Sequence, residues 1–215
     1  MKTIRVLVAE DHETVRQGVR VLLESQPDIE VIGEAVNGAD ALAHCRSLSP
    51  DVVILDVSMP GMNGLAAARA IKEAKPRTAI VAFTRHDDEV FVHELMAAGA
   101  SAYVLKQSRS IELLNAVRAV ATGSQYLDGF LKKRAAAVEN PRQPPITERE
   151  KEVLRMMAVG HSNKAIASDL NISVKTVEVH KANAMRKLGF QGRTDVVRFA
   201  ILQGWLQEPE RDPGV

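Results

Sequence analysis

From residue 4 to about 122, short apolar runs alternate with amphipathic stretches. IRVLVA, IEVIGEA, DVVILD, TAIVAF and SAYVL read as buried strands. VRQGVRVLLES, ADALAHCRSL, GLAAARAIKEA, DEVFVHELMAAG and IELLNAVRAVATG carry apolar residues at the three- and four-residue steps of a helix. Strand and helix repeated in this way predict an α/β domain, a doubly wound five-stranded parallel sheet with helices on both faces. From 146 to 206 the strand pattern stops. EREKEVLRMMAVG, NKAIASDL, VKTVEVHKANAMRKLG and TDVVRFAILQGW predict a small all-α domain of four short helices. Between the two styles lies KKRAAAVENPRQPP, where Pro141, Pro144 and Pro145 exclude a continuous helix. The expected organisation is one domain over 1–125, a linker over 126–145 and a helical domain over 146–208, with QEPERDPGV as a frayed tail.

At 215 residues, 46% hydrophobic and 26% charged, the chain can bury the cores of two small domains. No apolar run approaches the roughly 18 residues of a membrane span, and the acidic pair in MKTIRVLVAEDH stands where a secretory leader needs a longer apolar core. A cytoplasmic protein with no membrane partner is expected. Cys45, the single cysteine, lies in the helical pattern ALAHCRSL and reads as a small packing residue in a reducing compartment. The net charge of +1 hides an asymmetry: residues 1–130 hold 13 Lys+Arg against 17 Asp+Glu, net −4, and residues 131–215 hold 15 against 10, net +5. The halves face different partners. The basic half fits nucleic acid, although a solvated helical surface gives the same count.

Ligands of open parallel sheets bind beyond the carboxyl ends of the strands. Here the first strand ends in Glu10 and Asp11, the third in Asp56, the fourth in Thr84 and the fifth in Lys106. Any one of these alone is an ordinary cap, strand or surface residue; their joint placement is what carries meaning. Three neighbouring carboxylates repel one another unless a cation neutralises them, and a hard divalent ion with oxygen ligands, Mg2+ above all, suits that need. A hydroxyl and an ammonium opposite can hold phosphoryl oxygens. The edge is therefore suited to an aspartyl phosphate on Asp56.

In the helical half, residues 163–188 give a short helix, a turn at NIS and a second helix capped near Ser173. Ile166, Leu170, Val177, Ala184 and Leu188 recur at inward-facing steps, and Lys175, Glu178, Val179, Lys181, Ala182 and Arg186 occupy the opposite face. A recognition helix needs such a face, with base-edge contacts near its start and cations for phosphates. His12, His44, His86, His93 and His161 are scattered and give no zinc grouping, and His180 falls between the two faces.

AEDH, DVVILDVSMPGMNG, AFTRHDDE and GASAYVLK together resemble the receiver domain of two-component response regulators, over roughly residues 1–125. The resemblance implies a flavodoxin-like fold with Asp56 as phosphoacceptor and Glu10, Asp11 and the Ser58 main-chain carbonyl at a Mg2+ site. It further implies Thr84 as the hydroxyl that moves onto the phosphoryl group, Lys106 as its ion-pair partner and Tyr103 as the aromatic whose rotamer follows Thr84. The chain departs from the family's usual pattern at Arg85 and at Gln107, where many receivers carry a proline. Residues 146 to about 206 resemble the LuxR-type output domain of the NarL/FixJ class. There the implied phosphate contacts are Asn163, Lys164, Thr176 and Lys187, and the implied base readers are Lys175, Glu178, Val179 and Ala182. The function implied is a non-enzymatic, phosphorylation-controlled transcription regulator. Its partners would be a sensor histidine kinase, a second copy of itself once phosphorylated, and double-stranded DNA at a pseudo-palindromic promoter site. A phosphatase of the haloacid-dehalogenase type also uses an aspartate nucleophile, but it wants a second Asp two residues on, where this chain has Ser58. A phosphorylated interaction module that does not bind DNA is separable by salt-dependent DNA binding.

Overall fold

Apolar runs without polar alternation need cover on both faces of their sheet. In the computed structural model of the protein, which describes residues 3–87, 89–129 and 146–206, that cover is supplied by helices. The chain divides into two compact units, Met1–Val138 and Glu139–Val215. In the first unit the elements run β1 (Ile4–Ala9), α1 (Glu13–Glu24), β2 (Ile29–Ala35), α2 (Gly38–Leu48), β3 (Val52–Asp56), α3 (Gly64–Ala74), β4 (Ala79–Thr84), α4 (Glu89–Ala97), β5 (Ala102–Leu105), α5 (Ser110–Ala121) and β6 (Tyr126–Leu127). The sheet order is β2-β1-β3-β4-β5-β6, and every pair is parallel.

Val6, Val8, Val52, Ile54, Val81 and Val104 form one core with Val19 and Leu23 of α1 and Leu113, Val117 and Val120 of α5. Burying each Leu or Ile contributes about 1.5–3 kcal/mol. On the other face Leu7 meets Leu48 of α2 over Gly33, so closely that a Cβ on Gly33 would lie 2.8 Å from Leu48 and 3.3 Å from Leu7. Cys45 is fully buried on α2, and burial pushes its thiol up to about 12, which fits the packing role expected of it.

Among the described residues the sheet has six strands where five were expected. Tyr126 and Leu127 pair with Ala102 and Tyr103, so the first residues of the expected linker belong to the sheet. A two-residue strand carries no period that a sequence can display. The expected linker from residue 130 on, and the expected frayed tail from residue 207, lie outside the described residues.

The second unit holds the four expected helices, α6 (Glu148–Val159), α7 (Asn163–Asp169), α8 (Val174–Leu188) and α9 (Arg193–Leu202). Each start has a local chemical reason. Thr147 and Glu150 form a reciprocal capping box on α6, Ser162 caps α7, and Ser173 caps α8 as expected. Before α9, Asp195 accepts from the amides of Gln191 and Gly192. The α7–α8 turn needs a left-handed residue, and Asn171 supplies it at φ 52°. Val153, Leu154, Ile166, Val177, Ala184, Val196 and Phe199 close the core, while Leu170 and Leu188 are only partly buried. Phe199 meets Phe190 and Trp205 edge to face.

The segment between β3 and α3 is pinned by two glycine amides, Gly64 to the Val57 carbonyl at 3.0 Å and Gly38 to the Met62 carbonyl at 3.1 Å. A Cβ on Gly64 would lie 2.2 Å from the Asp56 carbonyl oxygen and 2.6 Å from Val57 Cα, backbone atoms that cannot swing away. Gly64→Ala should therefore lower stability by about 2–4 kcal/mol, read as a fall in the urea midpoint, because backbone must move to admit one methyl group. A variant as stable as the parent would show that this loop is not held as tightly as its contacts imply.

Candidate phosphoryl site and nucleic-acid interface

β1 and β3 are neighbours, so their carboxyl ends bring Glu10 and Asp56 together. Both are buried, at 1% and 2% exposure. Lys106, which follows β5, places Nζ 2.7 Å from Glu10 Oε2 and 2.9 Å from Asp56 Oδ2. One ammonium thus meets a buried oxygen of each carboxylate at ion-pair distance. Ligand atoms of Glu10, Asp11, His12 and Asp56 all lie within 4.8 Å of one another. The donors are mostly oxygen, and three carboxylates share a single ammonium, so a hard divalent cation fits this set.

The remaining expected residues gather around the same edge. Ser58 donates its amide to Asp56 Oδ1 at 3.2 Å. Thr84 is fully buried; its hydroxyl oxygen accepts the His86 amide at 3.2 Å and its carbonyl accepts the Lys106 amide at 2.8 Å. Tyr103 is also fully buried and donates its hydroxyl to the His86 carbonyl at 2.8 Å.

In the second unit, α8 presents Lys175, Glu178, Val179, Ala182 and Arg186 as exposed residues, with Val179 at 51%. Lys164 on α7 is exposed; Asn163, Thr176, His180 and Lys181 are partly buried. Lys187, expected at a DNA phosphate, is ion-paired within the helical unit. Its Nζ lies 2.8 Å from Glu150 Oε2, the acid of the α6 capping box, which is only 3% exposed. Burial pushes Glu150 up, but hydrogen bonds from Lys187 and Thr147 outweigh it and hold the carboxyl below its ordinary value. The Lys187 ammonium thus pairs with the acid that caps α6.

Two domain descriptions match this arrangement in chain order: response regulator receiver domain over residues 6–118, and bacterial regulatory proteins, luxR family, over residues 144–200. The oxygen regulatory protein NreC of Staphylococcus epidermidis is 36% identical over 217 residues, covering 95% of this chain and 100% of the relative. The response regulator protein VraR of Staphylococcus aureus is 35% identical over 213 residues, with the same coverage. This chain belongs to the NarL/FixJ class of response regulators. Among solved structures, RcsB from Salmonella enterica serovar Typhimurium, bound to a promoter in the presence of the phosphomimetic BeF3−, matches with a TM-score of 0.79. It is 27% identical and covers 94% of this chain and 100% of its own. The first unit is thus a receiver and the second a LuxR-type DNA-binding domain, and no helix among the described residues is long and apolar enough to cross a membrane.

Two receiver residues escaped the reading of the sequence. His12, counted there among scattered histidines, lies with Nδ1 2.7 Å from Asp11 Oδ1 and 3.2 Å from Glu10 Oε1. His86 places Nε2 3.1 Å from Ser58 Oγ and stacks on Phe91 with centroids 4.2 Å apart. AEDH and AFTRHDDE put both histidines beside site residues, which was the available signal.

Burial pushes the Asp56 carboxyl up to about 6; Lys106 pulls it down, and Glu10 adds to the rise. The folded receiver therefore holds this proton more tightly than the unfolded chain does, so ionising Asp56 costs stability. The cost is absent below the ordinary value of 3.8, grows as pH rises through the window to about 6, and is complete above it. Asp56→Asn, measured with chelator present, should stabilise the protein at about pH 7 by roughly 1–3 kcal/mol. The gain should shrink as the pH is lowered towards 4. A gain that grows on acidification would reverse the sign assigned to Asp56.

Proposed function

We propose that this response regulator takes a phosphoryl group on Asp56 from a sensor histidine kinase, dimerises, and thereby binds a pseudo-palindromic promoter site. The observation that carries the reading is the Lys106 ammonium held between Asp56 and Glu10 at one sheet edge, within reach of a loaded Asp56. One Asp56 carboxylate oxygen attacks phosphorus, the P–N bond of the kinase phosphohistidine breaks, and the freed imidazole nitrogen takes a proton from water. Lys106 pairs with a phosphoryl oxygen and the Thr84 hydroxyl donates to another. Glu10, Asp11, Asp56 and the Ser58 carbonyl would hold Mg2+. When bound, Mg2+ supplies positive charge to the phosphoryl oxygens.

The contacts around His86 support a switch. The Thr84 hydroxyl oxygen accepts the His86 amide, and the His86 carbonyl accepts from Tyr103, so a move of Thr84 is felt at Tyr103 through His86. Thr84 and Tyr103 therefore change together. In the output domain the exposed row Lys175, Glu178, Val179 and Ala182 reads bases, with Lys181 beside it, while Asn163, Lys164 and Thr176 meet phosphates. The receiver, linker and output domain work in the cytoplasm. Two recognition helices about one helical turn apart require a dimer, and shifting that population from 1:99 to 99:1 takes about 5.5 kcal/mol.

A small phosphodonor with Mg2+ should add one phosphoryl group to the full chain, increase its sedimenting mass and tighten its DNA binding, whereas Asp56→Asn should show none of these. Labelling of Asp56→Asn at the parental level would remove Asp56 as acceptor, and labelling without change in mass or affinity would uncouple it from output. Separately, Val179→Ala and Glu178→Ala should alter preference at one or two base pairs by about 1–3 kcal/mol, while Lys164→Ala weakens all sequences alike and reduces the salt slope by about 1. Identical behaviour of the three variants in a competition assay would mean that α8 does not read bases.

A further inference from the structure

Lys106 is displayed by the turn Leu105–Ser108, closed by the Ser108 amide on the Leu105 carbonyl at 3.0 Å. Gln107 gives this turn no restriction of its own, unlike a ring-locked residue. Both ends of the turn instead converge on one carboxylate. The Leu105 amide donates to Asp128 Oδ2 at 3.4 Å, and the Ser108 hydroxyl donates to the same oxygen. Asp128 is 2% exposed and is held in turn by its own amide, which donates to the Tyr103 carbonyl at 3.0 Å. It follows β6 and lies beyond residues 6–118, the span matched to a receiver.

We infer that Asp128 is a positioning residue of the phosphoryl site: it fixes the turn that holds Lys106 against Asp56 and Glu10, so the site is completed by the segment leaving the receiver. A long lysine side chain reaches its two partners at 2.7 and 2.9 Å only if its Cα is fixed, and a displacement of about 1 Å at a charged contact costs much of its strength. This inference rests on Asp56 as phosphoacceptor and on Lys106 as the cation that meets the phosphoryl oxygens.

The test uses the full-length protein and beryllofluoride as the phosphoryl mimic, beside labelling by a small phosphodonor. Asp128→Ala should raise the beryllofluoride concentration for half-saturation and slow labelling by about 10–100-fold, the scale on which lost support behind a ligating group is felt. Asp128→Asn, which keeps an acceptor for the turn, should recover most of the loss. Ser108→Ala, which removes one donor without emptying a buried site, should move both readings in the same direction. Tyr126→Phe is the control: it removes the bond from the Tyr126 hydroxyl to Glu112 Oε2 at 2.6 Å in the same strap, and should leave both readings at the parental value. In the Lys106→Ala background, Asp128→Ala should add nothing, since its effect passes through Lys106. Parental half-saturation in Asp128→Ala and Ser108→Ala, or a full additional loss in the Lys106→Ala background, overturns the assignment. Absence of labelling in the parent protein would instead overturn the phosphoacceptor reading on which it rests.

Discussion

One ammonium balances two carboxylates that the fold has taken out of water. Glu10 and Asp56 end adjacent strands of a parallel sheet, and the chain direction that β1 and β3 share leaves them side by side. Charges so placed are tolerated only with a counter-charge, and Lys106 provides it from across the sheet. The order of the strands, the turn after β5 and the closeness of the β3–α3 loop can all be understood as what brings that one nitrogen to those two oxygens. The same arrangement leaves the receiver less stable than an apolar edge would, and it leaves a site whose charge balance shifts when a phosphoryl group or a metal ion arrives.

Much of this was legible in the sequence because parallel sheets put their chemistry at strand ends, and a strand end can be read from where an apolar run stops. Glu10, Asp11, Asp56, Thr84 and Lys106 all stand at such stops, and the structure brings them to one edge. What was not legible depends on loop paths. Ser58 and His86 are 28 residues apart, and only the conformation of two loops lets them touch. Asp128 follows a two-residue strand, too short to announce itself, so the residues expected to begin a linker turn out to finish the sheet.

The helical unit teaches a different lesson about charge. On a helical wheel, Lys187 and Lys164 are both cations near a recognition helix, and nothing local separates them. The fold separates them, because Glu150 is buried under its capping role and needs a partner, which Lys187 alone among the two supplies. Exposed and committed cations share a composition and differ in what lies beneath them.

The placement of the aromatic residues has an optical consequence. The chain has two tyrosines and one tryptophan. Tyr103 and Tyr126 both belong to the receiver, on the two strands beside the phosphoryl edge, and Trp205 packs against Phe199 in the DNA-binding domain. Light that excites only indole thus reports on the output domain alone, while phenol emission reports on the receiver. Energy passing from one to the other measures how far apart the two domains stand, so the protein carries its own ruler for interdomain distance without an added dye.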